Sequence, residues 1–180
     1  MRVFLIALIL FFTVGADMAK AAPKQHPTWE QIASFYSGGN MRGPIKYDWT
    51  ATLGTTGAPN SGIIRLNPSM KASLKAFLDN PRSQRGMVLG MPGISTLIHE
   101  AIHNRNFAAG MPGSTEFFTP YLDDEDVNPN TGFHGAGNEI QAHDLGVRLV
   151  PDMLQRFFGI PMDSKWGKRY TDMVLKTLRH

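Results

Sequence analysis

The chain has 180 residues, a formal net charge of +3 and 42% hydrophobic against 18% charged residues, a balance that suits one domain with a real core and excludes intrinsic disorder. The pI of about 9.3 reflects a small basic surplus. No Lys/Arg cluster is there to track phosphates, so nucleic-acid binding is not expected. Cysteine is absent, which removes disulfides, thiol nucleophiles and Cys-ligated metal, so any metal must be held by His and carboxylates.

In chain order, Arg2 precedes an apolar run over residues 3–14, VFLIALILFFTV. The run is short for a membrane span and suits the core of a secretory signal peptide. Cleavage is expected after Ala19-Lys20-Ala21, with Val14-Gly15-Ala16 as the other site. The division is then 1–21 signal peptide, or an uncleaved anchor, and 22–180 the folded domain. The expected location is secreted or extracytoplasmic, with no stable membrane association once the signal is removed.

Thr28 is placed to cap a short helix beginning near Trp29, and Ser37-Gly38-Gly39-Asn40 ends it. Residues 54–62 are rich in turn formers. Residues 63–66 read as a strand closed by Asn67-Pro68, which also caps and opens the next helix. In that helix Met70, Leu74, Phe77 and Leu78 recur at helical spacing, and Asn80-Pro81 stops it. Residues 87–89 suit strand or loop.

Pro92-Gly93 is expected to open the next helix, in which Ile94, Leu97, Ile98, Ala101 and Ile102 share one apolar arc. His99 and His103 fall outside that arc. Residues 109–134 form a long irregular segment holding Asp123-Asp124-Glu125-Asp126. That cluster lacks the calcium-loop pattern and reads as a solvated acidic loop, with calcium binding as the alternative. Asn138 is expected to cap a helix from Glu139 to about Phe158, and a last helix carries Trp166, Tyr170, Met173, Val174 and Leu178 near one face. The ten methionines read as core filler.

One motif carries chemistry: His99-Glu100-Ala101-Ile102-His103, an H-E-x-x-H. Residues i and i+4 share a helix face, so the two imidazoles can converge on one Zn²⁺. Glu100 is rotated along the same helix, where it can stand beside the ion without ligating it and take a proton from water. A catalytic zinc needs a third protein ligand. The extended motif that would supply a third His fails, because Asn106 and Ala109 stand at its Gly and His positions. Glu139 is the better choice. Ala142 and Gly146 lie on nearly the same helix side and are small enough for a close approach to the motif helix. The other reading of Glu139 is a first-turn acid favouring the helix dipole. The expected fold class is α+β, mostly helical with a small sheet, in which an active-site helix meets a third-ligand helix.

H-E-A-I-H followed by a separate helix bearing Asn138-Glu139-Ile140-Gln141-Ala142 resembles the gluzincin branch of zinc metallopeptidases. The E-x-x-A form is similar to that of small minimal gluzincins of bacteria and phages. The resemblance covers about residues 62–150. It implies a zincin-like domain that hydrolyses peptide bonds, with His99, His103 and Glu139 on zinc and Glu100 as the general base. It also implies that residues 63–66 form an edge strand above the metal that pairs with an extended peptide or protein substrate. Thermolysin-like members carry an Asp one turn after the third ligand that orients a metal-bound His. Here that position is His143, with Asp144 one residue late. His143, His134 and Tyr121 are the candidates for stabilising the oxyanion or supporting the ligands. Two alternatives belong to other classes: a non-catalytic binding or structural protein on a zincin scaffold, and a zinc hydrolase of a non-peptide amide. Nothing in the sequence speaks to oligomeric state.

Overall fold

In the computed structural model, which describes residues 26–51, 54–55, 61–111 and 135–177, short polar side chains satisfy the first backbone N–H groups of the leading helices. Helix α1 (Trp29–Tyr36) opens on a reciprocal box: the Gln31 amide donates to the Thr28 hydroxyl, and the Thr28 amide donates to the Gln31 side chain. Three two-residue strands follow, β1 (Lys46–Tyr47), β2 (Gly54–Thr55) and β3 (Arg65–Leu66). Helix α2 (Pro68–Asp79) starts where the Asn67 side chain accepts from the Ser69 amide, with Pro68 in the first turn. The long helix α3 (Gln84–Ala108) is capped by Ser83, whose hydroxyl accepts from the Gly86 amide. Helices α4 (Gly135–Arg148), α5 (Val150–Phe158) and α6 (Lys165–Thr177) complete the described chain. The fold is mostly helical with a small sheet, an α+β arrangement.

The sheet order is β1-β3-β2, with β1 parallel and β2 antiparallel to β3. The strand expected at an edge is therefore the central one. Arg65 pairs with Lys46 on one side and Thr55 on the other. The reason lies in its anchors: Ile64 and Leu66 are wholly buried, and a strand with such residues gains most from cover on every side. The outer position goes to Gly54–Thr55, within the stretch whose composition suggested only turns.

Phe77 of α2 sits at the centre of the core, wholly buried. Its ring meets Trp29 from α1, Phe158 from α5 at 4.8 Å edge-on, and Tyr170 from α6. Met70, Met87, Met91 and Met153 are buried in the same core. Tyr170 and Val174 anchor α6, with Trp166 and Met173 partly covered; Leu178 lies outside the described residues. The Tyr36 hydroxyl donates to Asp152 at 2.7 Å and so ties α1 to α5.

Helix α3 begins eight residues before the expected Pro92 start, and residues 87–89 are helical. An interior proline removes one backbone donor and its ring presses on the preceding turn, at a cost of about 3 kcal/mol. Here Ser73 of α2 mends the opened ladder. The Gly93 amide donates to the Ser73 hydroxyl at 2.8 Å, and that hydroxyl donates to the Leu89 carbonyl. The hydroxyl is thus spliced between two groups that would pair directly in an unbroken helix. Two glycines admit the neighbouring helix this closely: a Cβ on Gly90 would fall 2.5 Å from Phe77 Cβ, and one on Gly93 would fall 2.9 Å from Ser73 Oγ.

A second correction concerns residues 139–158, expected as one helix capped by Asn138. Two helices stand there, and Asn138 is inside the first. Pro151 has no amide to continue the ladder, so the chain restarts at Val150. Gly159, with φ +59°, ends α5 in the left-handed conformation. Among the described residues no helix is long and apolar enough to cross a membrane. The apolar run over residues 3–14, the cleavage sites and the acidic cluster at 123–126 lie outside the described residues.

Replacing Ser73 by Ala should leave the Gly93 amide and the Leu89 carbonyl without their bridge, and so lower unfolding stability by about 1–3 kcal/mol in urea titrations. An unchanged midpoint would show that the helix closes its own gap.

Candidate metal centre

The helical repeat stacks His99 and His103 on one side of α3, ring centroids 4.5 Å apart and nearly perpendicular. Their Nε2 atoms are 3.0 Å apart. Helix α4 crosses directly over them, because small residues line its near side. A Cβ on Gly146 would fall 3.0 Å from His99 Cβ and 3.1 Å from the Ser95 carbonyl, and Ala142 is wholly buried. This approach delivers Glu139: one carboxylate oxygen lies 3.3 Å from His99 Nε2, the other 3.0 Å from His103 Nε2.

The two imidazoles and the carboxylate lie close enough to bind a metal ion. Their chemistry and spacing both fit one. Tetrahedral bonds of 2.0–2.1 Å would set neighbouring donors about 3.3 Å apart, close to the separations found. The donors are also sheltered, with side chains 12%, 9% and 14% exposed for His99, His103 and Glu139.

His103 is held from behind. Its Nδ1 lies 3.0 Å from Asn138 Oδ1, and that same oxygen accepts from Asn106 Nδ2 at 2.8 Å. Asn106 turns the Asn138 amide so that its oxygen faces the imidazole. His103 Nδ1 therefore carries a proton. Nε2 donates to Glu139 when the ring is protonated and would offer its lone pair to an ion when that second proton is lost. Phe107 stacks on the other side of the ring at 5.8 Å. Asn138 is wholly buried; it holds the His103 ring and does not cap a helix.

Glu100 stands apart from the three donors, its nearer oxygen 4.0 Å from His99 Nε2 and its side chain 2% exposed. Glu100, His103, Asn104 and Asn106 of α3 are all buried. Asn138 of α4 meets His103 and Asn106, and Asn104 donates to Met41 Sδ at 3.8 Å. Strand β2 passes over Glu100 at Gly54. His143 is exposed on the turn of α4 after Glu139, its ring centroid 6.4 Å from that of His99. It lies beside the donor cluster and not in it. Tyr121 and His134 lie outside the described residues.

Asn138 was legible only as a polar residue before Glu139, and Asn106 only as a failed match to a longer motif. A usable signal for Asn106 was its place one turn after His103 on the same helix. Nothing local marked Gly54.

Burial alone would raise the Glu139 carboxyl, but hydrogen bonds from His103 and His99 and their positive charge outweigh it and hold it at about 2. Burial pulls His103 down, yet its bond to Glu139 and the charges of Glu100 and Glu139 carry it above the ordinary imidazole value. The donor cluster thus attracts positive charge, and protons and a metal ion compete for it.

Comparison of the chain with models of known families, with curated proteins and with solved structures returned no match.

Opposite pH trends should follow for chelator-treated and metal-loaded protein. The depressed Glu139 value stabilises the fold above pH 4.5, and this contribution is lost as the pH falls toward about 2. The raised His103 value stabilises it below pH 6.5, and this is lost as the pH rises through the folded value. Melting temperature in a chelator should therefore fall as the pH rises above 6.5 and through the raised His103 value. With a divalent transition metal the stabilising increment should grow over the same interval, as donors give up their protons. Parallel curves would exclude ion binding at these residues. Asn138→Leu should weaken metal affinity about 10–100-fold in a competition titration.

Proposed function

We propose that this protein is a zinc-dependent metallopeptidase of gluzincin type, acting on peptide or protein substrates outside the cytoplasm. One observation carries the reading: a fourth acidic or basic group, Glu100, is buried 4.0 Å from a member of the donor cluster while remaining outside it. A purely structural metal site has no use for that arrangement, whereas hydrolysis needs a carboxylate beside an open coordination position. Two imidazole nitrogens and a carboxylate, each nitrogen 3.0–3.3 Å from one of its oxygens, favour zinc over harder ions. When bound, zinc would supply Lewis acidity toward a carbonyl oxygen and toward water.

The chain's own residues supply the rest. Glu100 takes one proton from water as its oxygen joins the carbonyl carbon. It returns that proton to the amine nitrogen as the C–N bond breaks, so that one water and one peptide bond give an acid and an amine. Asn138, oriented by Asn106, keeps the His103 lone pair on the donor side. Because β3 is central, an extended substrate would lie along β2, the outer strand on the Glu100 side. His143 is exposed beside His99 and suits donation to a developing oxyanion; Tyr121 and His134 share that proposed role. The apolar run over residues 3–14 supports export, with residues 22–180 as the catalytic domain.

Glu100→Gln should keep about one zinc per chain and lower cleavage of an unfolded protein substrate about 10²–10⁴-fold. His99→Ala and Glu139→Ala should lose zinc binding. Wild-type protein that holds zinc yet cleaves no peptide in a broad library would sink the peptidase reading. It would leave a binding or structural protein on the same scaffold, or a hydrolase of a non-peptide amide.

A further inference from the structure

Glu100 would serve as a base only if its carboxylate stays turned toward the donor cluster. A Glu side chain has three rotatable bonds, and burial alone does not choose among their settings. What lies against it does. A Cβ built on Gly54 would fall 2.7 Å from Glu100 Oε1, 2.8 Å from Glu100 Cγ and 2.8 Å from Thr96 Cγ2. Real Cβ atoms do not come this near to other heavy atoms. The side chain of Glu100 thus occupies the volume that any other residue at position 54 would need for itself.

The strand that brings Gly54 there is held by its pairing with β3 and by an anchor upstream. Gly54 pairs with Leu66, which is wholly buried. Upstream, the Asn67 side chain donates to the Ala51 carbonyl at 2.9 Å. The backbone at Gly54 is therefore a wall against the outer side of Glu100, and Thr96, one turn earlier on α3, closes the flank. The three heavy atoms nearest to a Cβ on Gly54 belong to Glu100 and Thr96, and to none of the metal donors.

We propose that Gly54 is a positioning residue for Glu100: its missing side chain makes the cavity in which the carboxylate lies, and its backbone holds the carboxylate toward the metal centre. The proposal rests on the peptidase reading for its catalytic consequence, but the seating of Glu100 is tested without it. In full-length zinc-loaded protein, Gly54→Ala should leave zinc content at one per chain and zinc affinity within about twofold. The side-chain carboxyl resonance of Glu100, identified by its loss in Glu100→Gln, should move, while that of Glu139 should not. Cleavage should fall at least tenfold in kcat with KM changed less than about threefold. In the Glu100→Gln background the same substitution should lower the residual rate no further. An unmoved Glu100 resonance, or an equal further loss in the Glu100→Gln background, overturns the assignment. A moved resonance in a protein without peptidase activity supports the seating of Glu100 and sinks only the reaction. If Gly54→Ala does not fold, Gly54→Ala/Glu100→Ala decides. Recovered folding traces the defect to the contact with Glu100, and continued failure traces it to the strand and overturns the proposal.

Discussion

Two imidazole nitrogens and the two oxygens of one carboxylate come within about 3 Å of one another, pair by pair, at the crossing of α3 and α4. Two imidazole nitrogens and a carboxylate do not gather so closely unless the scaffold holds them and a positive charge rewards them. The scaffold's part is steric. Gly146 and Ala142 let the two helix backbones approach, and a larger residue at position 146 would strike the His99 backbone and the Ser95 carbonyl. The charge-attracting character follows from the same geometry, as the low Glu139 value and the raised His103 value both show.

Helix α3 performs two tasks in sequence. Its middle, through Ile94, Leu97 and Ile98, is a core element packed beneath α2. Its last turns carry the donors and a buried polar set in which Asn106, Asn138 and His103 satisfy one another. Burying amides is costly unless each finds a partner. Here the partners come from two helices, so the polar network and the helix crossing hold each other in place.

The centre was largely legible in the sequence because its signals are local or periodic. His99 and His103 share a face by arithmetic, and the small residues after Glu139 foretold a close crossing. The caps at Thr28 and Asn67 could likewise be read directly, since a cap involves residues two or three apart. The break at Pro151 was local and could have been read; the other failures involve distant partners. Pro92 inside a helix is tolerated through a hydroxyl 20 residues before Gly93. Asn138 looks like a cap until Asn106 and His103 are seen to claim its oxygen. Residues 63–66 become central only because β2, too short and glycine-rich to register as a strand, takes the outer place.

The splice of Ser73 into α3 joins the fortunes of two positions that no local pattern connects. With Pro92 present, the serine hydroxyl completes a broken ladder. Were Pro92 exchanged for an ordinary residue and the ladder to close, the same hydroxyl would become an intruder between the Leu89 carbonyl and the Gly93 amide. Substitution history at these sites should therefore be paired: each is conservative only in the company of the other, and the order in which they arose would have decided which intermediates were viable.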